Sequence, residues 1–197
     1  MTAEKLLRQI DFIKEIDKLK YIQRKTKLFN SDRCENDAEH SWHLALMAMV
    51  LFEHADESVD LLKVIKMVLI HDIVEIDAGD TFIYDTQKTH NNTEEERLAA
   101  HRIFGLLPES QAEELITIWE EFEAGETPEA RFARAMDRLE PLLQNSSNNG
   151  GTWNEPGVNY HKVYAKKSVI KAGSNVLWEY AESLIDEGVK IGVLKRE

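Results

Sequence analysis

A single cysteine, Cys34, in 197 residues leaves no intramolecular disulfide framework. That usage fits a reducing compartment, and a cytoplasmic location is expected. Proline and glycine are scarce, at four and nine residues, and no stretch sustains an alternation of apolar and polar side chains. Strand signals are nearly absent, so the chain reads as all-α. The longest apolar run, Leu44 to Phe52, is about half of the roughly 20 residues a membrane-spanning helix needs. The first residues lack the basic-then-apolar pattern of a secretory signal. No membrane partner is expected. Cations are the minority as well: 24 Lys and Arg face 36 Asp and Glu, a formal charge of -12. A nucleic-acid polymer needs many cations to displace its counterions, so it is disfavoured as a partner. A small phosphorylated ligand is not, because a metal and a few local cations can neutralise it.

What the chain does have is helix signal. Leu6, Leu7, Ile10, Ile13 and Ile16 recur at helical spacing and predict a first helix over Thr2 to about Ile22, followed by a polar, basic loop. Asn36 and Glu39 form a capping box that opens a second helix to His54. It is apolar on nearly every face, which predicts a place in the middle of a bundle. Ser58 is read as the cap of a third helix, whose apolar run from Val64 to Ile70 ends in His71-Asp72. Ile76 to Asn92 reads as a long loop over a site, since connections beyond ~12–15 residues usually carry function. Thr93 with Glu96, Pro108 before Gly125, and Thr127-Pro128 then mark three further helices, the last reaching about Gln144 with Pro141 inside it. The turn-rich run Asn145 to Gly151 precedes two closing helical patterns. The expected organisation is one domain over 1–197, with a core to about 147 and added C-terminal helices.

Chemistry concentrates at a few histidines and acids. Seven histidines and twelve aspartates in 197 residues give about 0.4 His-Asp pairs by chance, so His71-Asp72 alone proves nothing. Its place at the end of an apolar helix matters more, because a buried charge needs a partner or a metal. His40 and His43, three residues apart on the second helix, are each a possible ligand or a hydrogen-bonded core histidine. Glu39-His40-Ser41-Trp42-His43 matches neither zinc-protease helix signature, which sets a metalloprotease aside. By periodicity Asp137 falls opposite Phe132 and Leu139 and reads as a surface residue. Trp153, after two glycines, is read as pinning the tail to the core.

Taken in order, Glu39-His40, His71-Asp72 with Glu75 and Ala78-Gly79-Asp80, and Asp137 within Ala135-Met136-Asp137-Arg138-Leu139 resemble the HD-domain phosphohydrolases. The chain is most similar to their branch containing the bacterial 5'-deoxynucleotidases, over about Leu19 to Gln144. The resemblance implies an HD-type helical bundle and one divalent ion per chain (Co, Mn, Zn, Ni, Fe or Mg) on His40, His71, Asp72 and Asp137. Such a mixed nitrogen and oxygen set accepts several ions and leaves positions for water and a phosphate oxygen. The resemblance further implies a catalytic role for Glu75, four residues after His71, alongside Asp72; a phosphate contact for Arg24; and a sugar-end contact for Asp80. Lys25 stands where the family carries a tryptophan, and Thr81 to Asp85 departs from its proline-containing continuation. Both bear on nucleotide specificity. The expected activity is hydrolysis of a small phosphate monoester, foremost a deoxyribonucleoside 5'-monophosphate, by a homodimer. Two rivals keep the same site: an HD hydrolase of a pyrophosphorylated nucleotide or phosphodiester, and a non-catalytic metal- or nucleotide-binding sensor.

Overall fold

A computed structural model describes residues 2–85 and 94–197. Helix α1 spans Thr2–Ile16, and a 3-10 turn, Asp17–Tyr21, completes the first predicted helix with tighter winding. The basic segment that follows is not a loop. It is a two-stranded antiparallel hairpin, β1 (Gln23–Lys27) and β2 (Cys34–Asn36), with Gln23 opposite Asn36 and Lys27 opposite Cys34. Burial alternates along β1, so Arg24 and Thr26 turn inward while Gln23 and Lys25 are exposed. The inward residues are polar, which hid the alternation from a search for apolar ones.

Helix α2 (Asp37–Leu51) starts at the expected capping box: the Asn36 side chain accepts from the Glu39 amide, and Glu39 accepts from the Asn36 amide. Its position differs from the expectation. Leu44, Met47 and Ala48 face the core, but Trp42, Leu46, Met49 and Val50 are exposed, so α2 lies on the outside of the bundle. Helix α3 (Leu61–Ile70) is capped by Asp60 rather than Ser58, its side chain accepting from the amides of Leu62 and Lys63. A 3-10 turn over His71–Val74 leads into α4 (Glu75–Ala78). Helices α5 (Glu94–Phe104) and α6 (Glu109–Ala124) follow; Thr93 lies outside the described residues, and Gly125 closes α6 in the left-handed conformation.

The central element is α7 (Pro128–Ser147), capped by Thr127. Phe132, Ala133, Met136, Leu139 and Leu142 fill the core, and Asp137, Glu140, Gln144 and Asn145 are buried as well. Helices α8 (Tyr160–Lys167), α9 (Ile170–Gly173) and α10 (Asn175–Lys190) pack onto it. A Cβ on Gly173 would meet the Arg131 carbonyl oxygen at 2.6 Å, so α9 lies almost against the α7 backbone. The turn-rich run ties parts together rather than separating them. Asn148 donates to the Leu28 carbonyl at 2.9 Å and accepts from the Ser31 amide at 3.2 Å, which clamps the hairpin loop. Trp153 is buried against Gly188 of α10, where a Cβ would sit 2.7 Å from the indole, consistent with its expected pinning role. Among the described residues no helix is long and apolar enough to cross a membrane.

Candidate metal centre and active site

Three segments far apart in sequence converge on one buried point. Helix α2 delivers His40, the 3-10 turn after α3 delivers His71 and Asp72, and α7 delivers Asp137; none is more than 8% exposed. Asp137 Oδ1 lies 3.2 Å from His40 Nε2 and 3.8 Å from His71 Nε2, and Asp72 Oδ1 lies 3.1 Å from His71 Nε2. Periodicity alone had placed Asp137 on the surface. It is instead held among charges that pair with it, since Arg138 Nη1 takes its Oδ2 at 2.9 Å.

The donor set fits a divalent cation. His71 Nδ1 donates to the Val68 carbonyl at 3.0 Å, which fixes the proton there and leaves the Nε2 lone pair facing Asp72 and Asp137. That Nε2 is buried and makes no hydrogen bond. Ligand atoms of His40, His71 and Asp72 lie within 4.8 Å of one another, close enough to share one ion. Burial lowers the His71 imidazole, but Asp72 and Asp137 outweigh it and raise it to about 9. Burial opposes the Asp72 charge, yet His71 and Arg24 bring that carboxyl down to about 2.

Behind His40 lies a second set of acids that the sequence reading missed. Glu35 and Glu140 are buried, with Oε2 atoms 3.4 and 3.3 Å from His40 Nδ1. Gln144 Nε2 donates to Glu35 at 2.9 Å and also to Glu140. His43 Nδ1 donates to Glu140 Oε1 at 3.1 Å, so this histidine contacts the acid behind the centre. Burial lifts Glu35, whereas His40 and His43 overcome burial at Glu140 and lower it to about 2.

On the cavity side, Arg24 Nη1 contacts Asp72 Oδ2 at 2.8 Å and Asp37 Oδ1 at 3.1 Å. Arg24 is therefore not a solvated loop cation; its guanidinium is built into the carboxylate network. Oxygens of Asp37, Glu75 and Asp80 cluster within 4.8 Å. Burial, reinforced by Asp72, lifts Asp37 to about 6; burial with Asp72 and Asp37 holds Glu75 well above the usual carboxylate range. Burial also raises Asp80. Glu75, at the start of α4, shares a hydrogen bond with Asp37. Lys25 places its ammonium 4.5 Å from the Phe82 ring centre. Of the expected loop from Ile76 to Asn92, residues 76–78 are helical, in α4; residues 79–84 line the same cavity as His71, Asp72 and Asp137, and 86–93 lie outside the described residues. The C-terminal part contributes Thr152 and the buried Lys167, whose ammonium donates to the Arg138 carbonyl at 2.8 Å. Burial and Arg138 bring Lys167 down to about 7.

An all-helical bundle with His, His-Asp and Asp brought together from separate segments defines a class, and the profile of the HD domain matches residues 16–178. The chain belongs to the HD domain family. That bears out the family-level resemblance, and the matched residues run past Gln144 to include Trp153 and Lys167. Among individual relatives, human 5'-deoxynucleotidase HDDC2 is 30% identical over 138 residues, 70% of this chain and 66% of that protein. Mouse HDDC2 is 31% identical over 136 residues, 68% of this chain and 67% of that one. The chain thus spans about two thirds of the length of these curated relatives. The crystal structure of a predicted metal-dependent phosphohydrolase from Magnetospirillum magnetotacticum MS-1 matches with a TM-score of 0.94 at 53% identity, covering 99% of this chain and 98% of that one.

Proposed function

We propose that the protein is a divalent-metal-dependent phosphohydrolase that converts deoxyribonucleoside 5'-monophosphates to nucleoside and phosphate. The observation that carries this reading is the convergence of His40, His71, Asp72 and Asp137, the last three on the wall of a cavity that Arg24, Glu75 and Asp80 also line and His40 buried directly behind it. Relatives named 5'-deoxynucleotidase support the substrate class. A cation held by these four residues supplies Lewis acidity toward phosphorus and toward water.

The protein's own groups do the rest. With Nη1 committed to Asp72 and Asp37 and Nε turned toward Glu35, Arg24 offers Nη2 to a phosphate oxygen. Glu75, whose protonated form is favoured by burial and by its acidic neighbours, gives its proton to the departing 5' oxygen as water bonds to phosphorus and the P–O5' bond breaks, and it regains a proton from the one the attacking water sheds. Asp37 steadies that proton beforehand. Asp80 accepts from a sugar hydroxyl, and the Lys25–Phe82 pair forms a lip against the sugar and base. We further propose a cytoplasmic homodimer.

The test is to strip divalent ions with a chelator, restore Co, Mn, Zn, Ni, Fe or Mg singly, and follow phosphate release. Substrates should include deoxy- and ribonucleoside monophosphates, a triphosphate and a phosphodiester. Release of phosphate from deoxynucleoside monophosphates is expected. Release of pyrophosphate from the triphosphate, or cleavage of the diester to a monoester, would move the substrate to the rival hydrolase reading, and ligand binding without turnover under every ion would leave only the sensor.

A further inference from the structure

We propose that Glu140 is a positioning residue for the metal centre, the acceptor that fixes the tautomer and ring orientation of His40. The inference rests on the metal site proposed above. An imidazole that offers Nε2 to a cation carries its proton on Nδ1, and that proton needs an acceptor. His40 is fully buried, so water cannot serve. Its Nδ1 has no hydrogen bond of good geometry, and neither has Glu140 Oε2, 3.3 Å away.

Glu35 Oε2 is nearly as close, at 3.4 Å, and two features select Glu140. Asp137 and Glu140 sit three residues apart on α7, so one rigid turn of helix holds both edges of the His40 ring, Nε2 toward Asp137 and Nδ1 toward Glu140. The other oxygen of Glu140 is tied by His43 at 3.1 Å and by Gln144, which aims Oε2 at His40. Glu35 instead sits in the middle of a three-residue strand, on a different element from Asp137, and Arg24 Nε approaches its Oε2 at 3.8 Å.

Glu140→Gln keeps the shape and removes the charged acceptor. In the Co2+-loaded protein, the dissociation constant from chelator competition should rise about 10- to 100-fold and the visible d–d bands should shift. The chelator-stripped variant should still melt in one cooperative transition, at a lower temperature because the buried charge is lost, so that affinity is read on a folded protein. Glu35→Gln should change Co2+ affinity less than about threefold, well short of that range. Unchanged affinity and spectrum in Glu140→Gln, or the larger loss in Glu35→Gln, would overturn the assignment. Should Glu140→Gln not fold, imidazole nitrogen spectra of the Zn2+-loaded wild type decide. His40 protonated on Nδ1, with a proton resonance unmoved by Glu35→Gln, is expected; protonation on Nε2, or a resonance that follows Glu35, overturns it. A wild type that binds no divalent ion would remove the metal site itself and this inference with it.

Discussion

Asp137 meets both imidazoles with one oxygen and Arg138 with the other, so its charge is the hinge of the centre. Asp137→Asn preserves the shape and deletes the charge. It should cost at least about 100-fold in divalent-ion affinity and a comparable factor in phosphate release, measured by chelator competition and steady-state kinetics. His71 gives the pH dependence. Its folded value of about 9 lies above the ordinary 6.5, so its protonated form stabilises the chelator-stripped protein fully below pH 6.5 and loses that contribution as pH rises through 9. A cation needs the same Nε2 lone pair, so ion binding must run the opposite way and tighten over that window, by up to about tenfold per pH unit for each proton displaced. Calorimetry at pH 7 in buffers of different ionisation enthalpy should show at least one proton released per ion bound. Affinity that stays flat from pH 6.5 to 8.5 would contradict the assignment of His71 as a ligand. These residues were only partly legible. His71-Asp72 stood out by its place after an apolar run, but periodicity equates charge with solvent and so misplaced Asp137 and passed over Glu35 and Glu140.

At the scale of elements, most helix starts were written locally. Asn36 with Glu39, and Thr127, satisfy amides at their own helix starts, while Pro128 has no amide to satisfy, and a sequence shows that directly. The hairpin was not visible, because its inward side chains, Arg24 and Thr26, are polar, and the partners of Arg24 lie in other segments. Helix α7 misled for the same reason: its buried stripe carries Asp137, Glu140 and Gln144 beside the apolar residues, and pairing with other elements makes that tolerable. The approach of α9 to α7 depends on Gly173, where an added Cβ would strike the backbone of Arg131 and Phe132. Backbone atoms cannot step aside as a side-chain tip can. Gly173→Ala should therefore destabilise the protein by about 2 kcal/mol, a fall in melting temperature of roughly 4–8 °C. An unchanged melting temperature would mean that α9 does not sit against α7.

At the scale of the whole molecule, the helix that carries His40 inward also carries an apolar face outward. Trp42, Leu46, Met49 and Val50 recur at intervals of four, seven and eight residues, and each is between 41% and 69% exposed. An all-round apolar helix can be buried centrally or shared between two copies, and α2 is not central. The proposed homodimer would bury these apolar side chains, and self-association through the same face on both copies needs no charge complement on a chain of net charge -12. Sedimentation velocity at micromolar concentration should show a dimer. Val50, at 69% exposed, has little to lose within one chain, so Val50→Asp should change the stability of the isolated chain by no more than about 0.5 kcal/mol. In a dimer packed on α2 the same carboxylate would be desolvated without a partner, and the dimer dissociation constant should rise at least about 100-fold. A wild type that sediments as a monomer, or a Val50→Asp variant that dimerises normally, would remove α2 as the interface while leaving the metal centre on its inner face untouched.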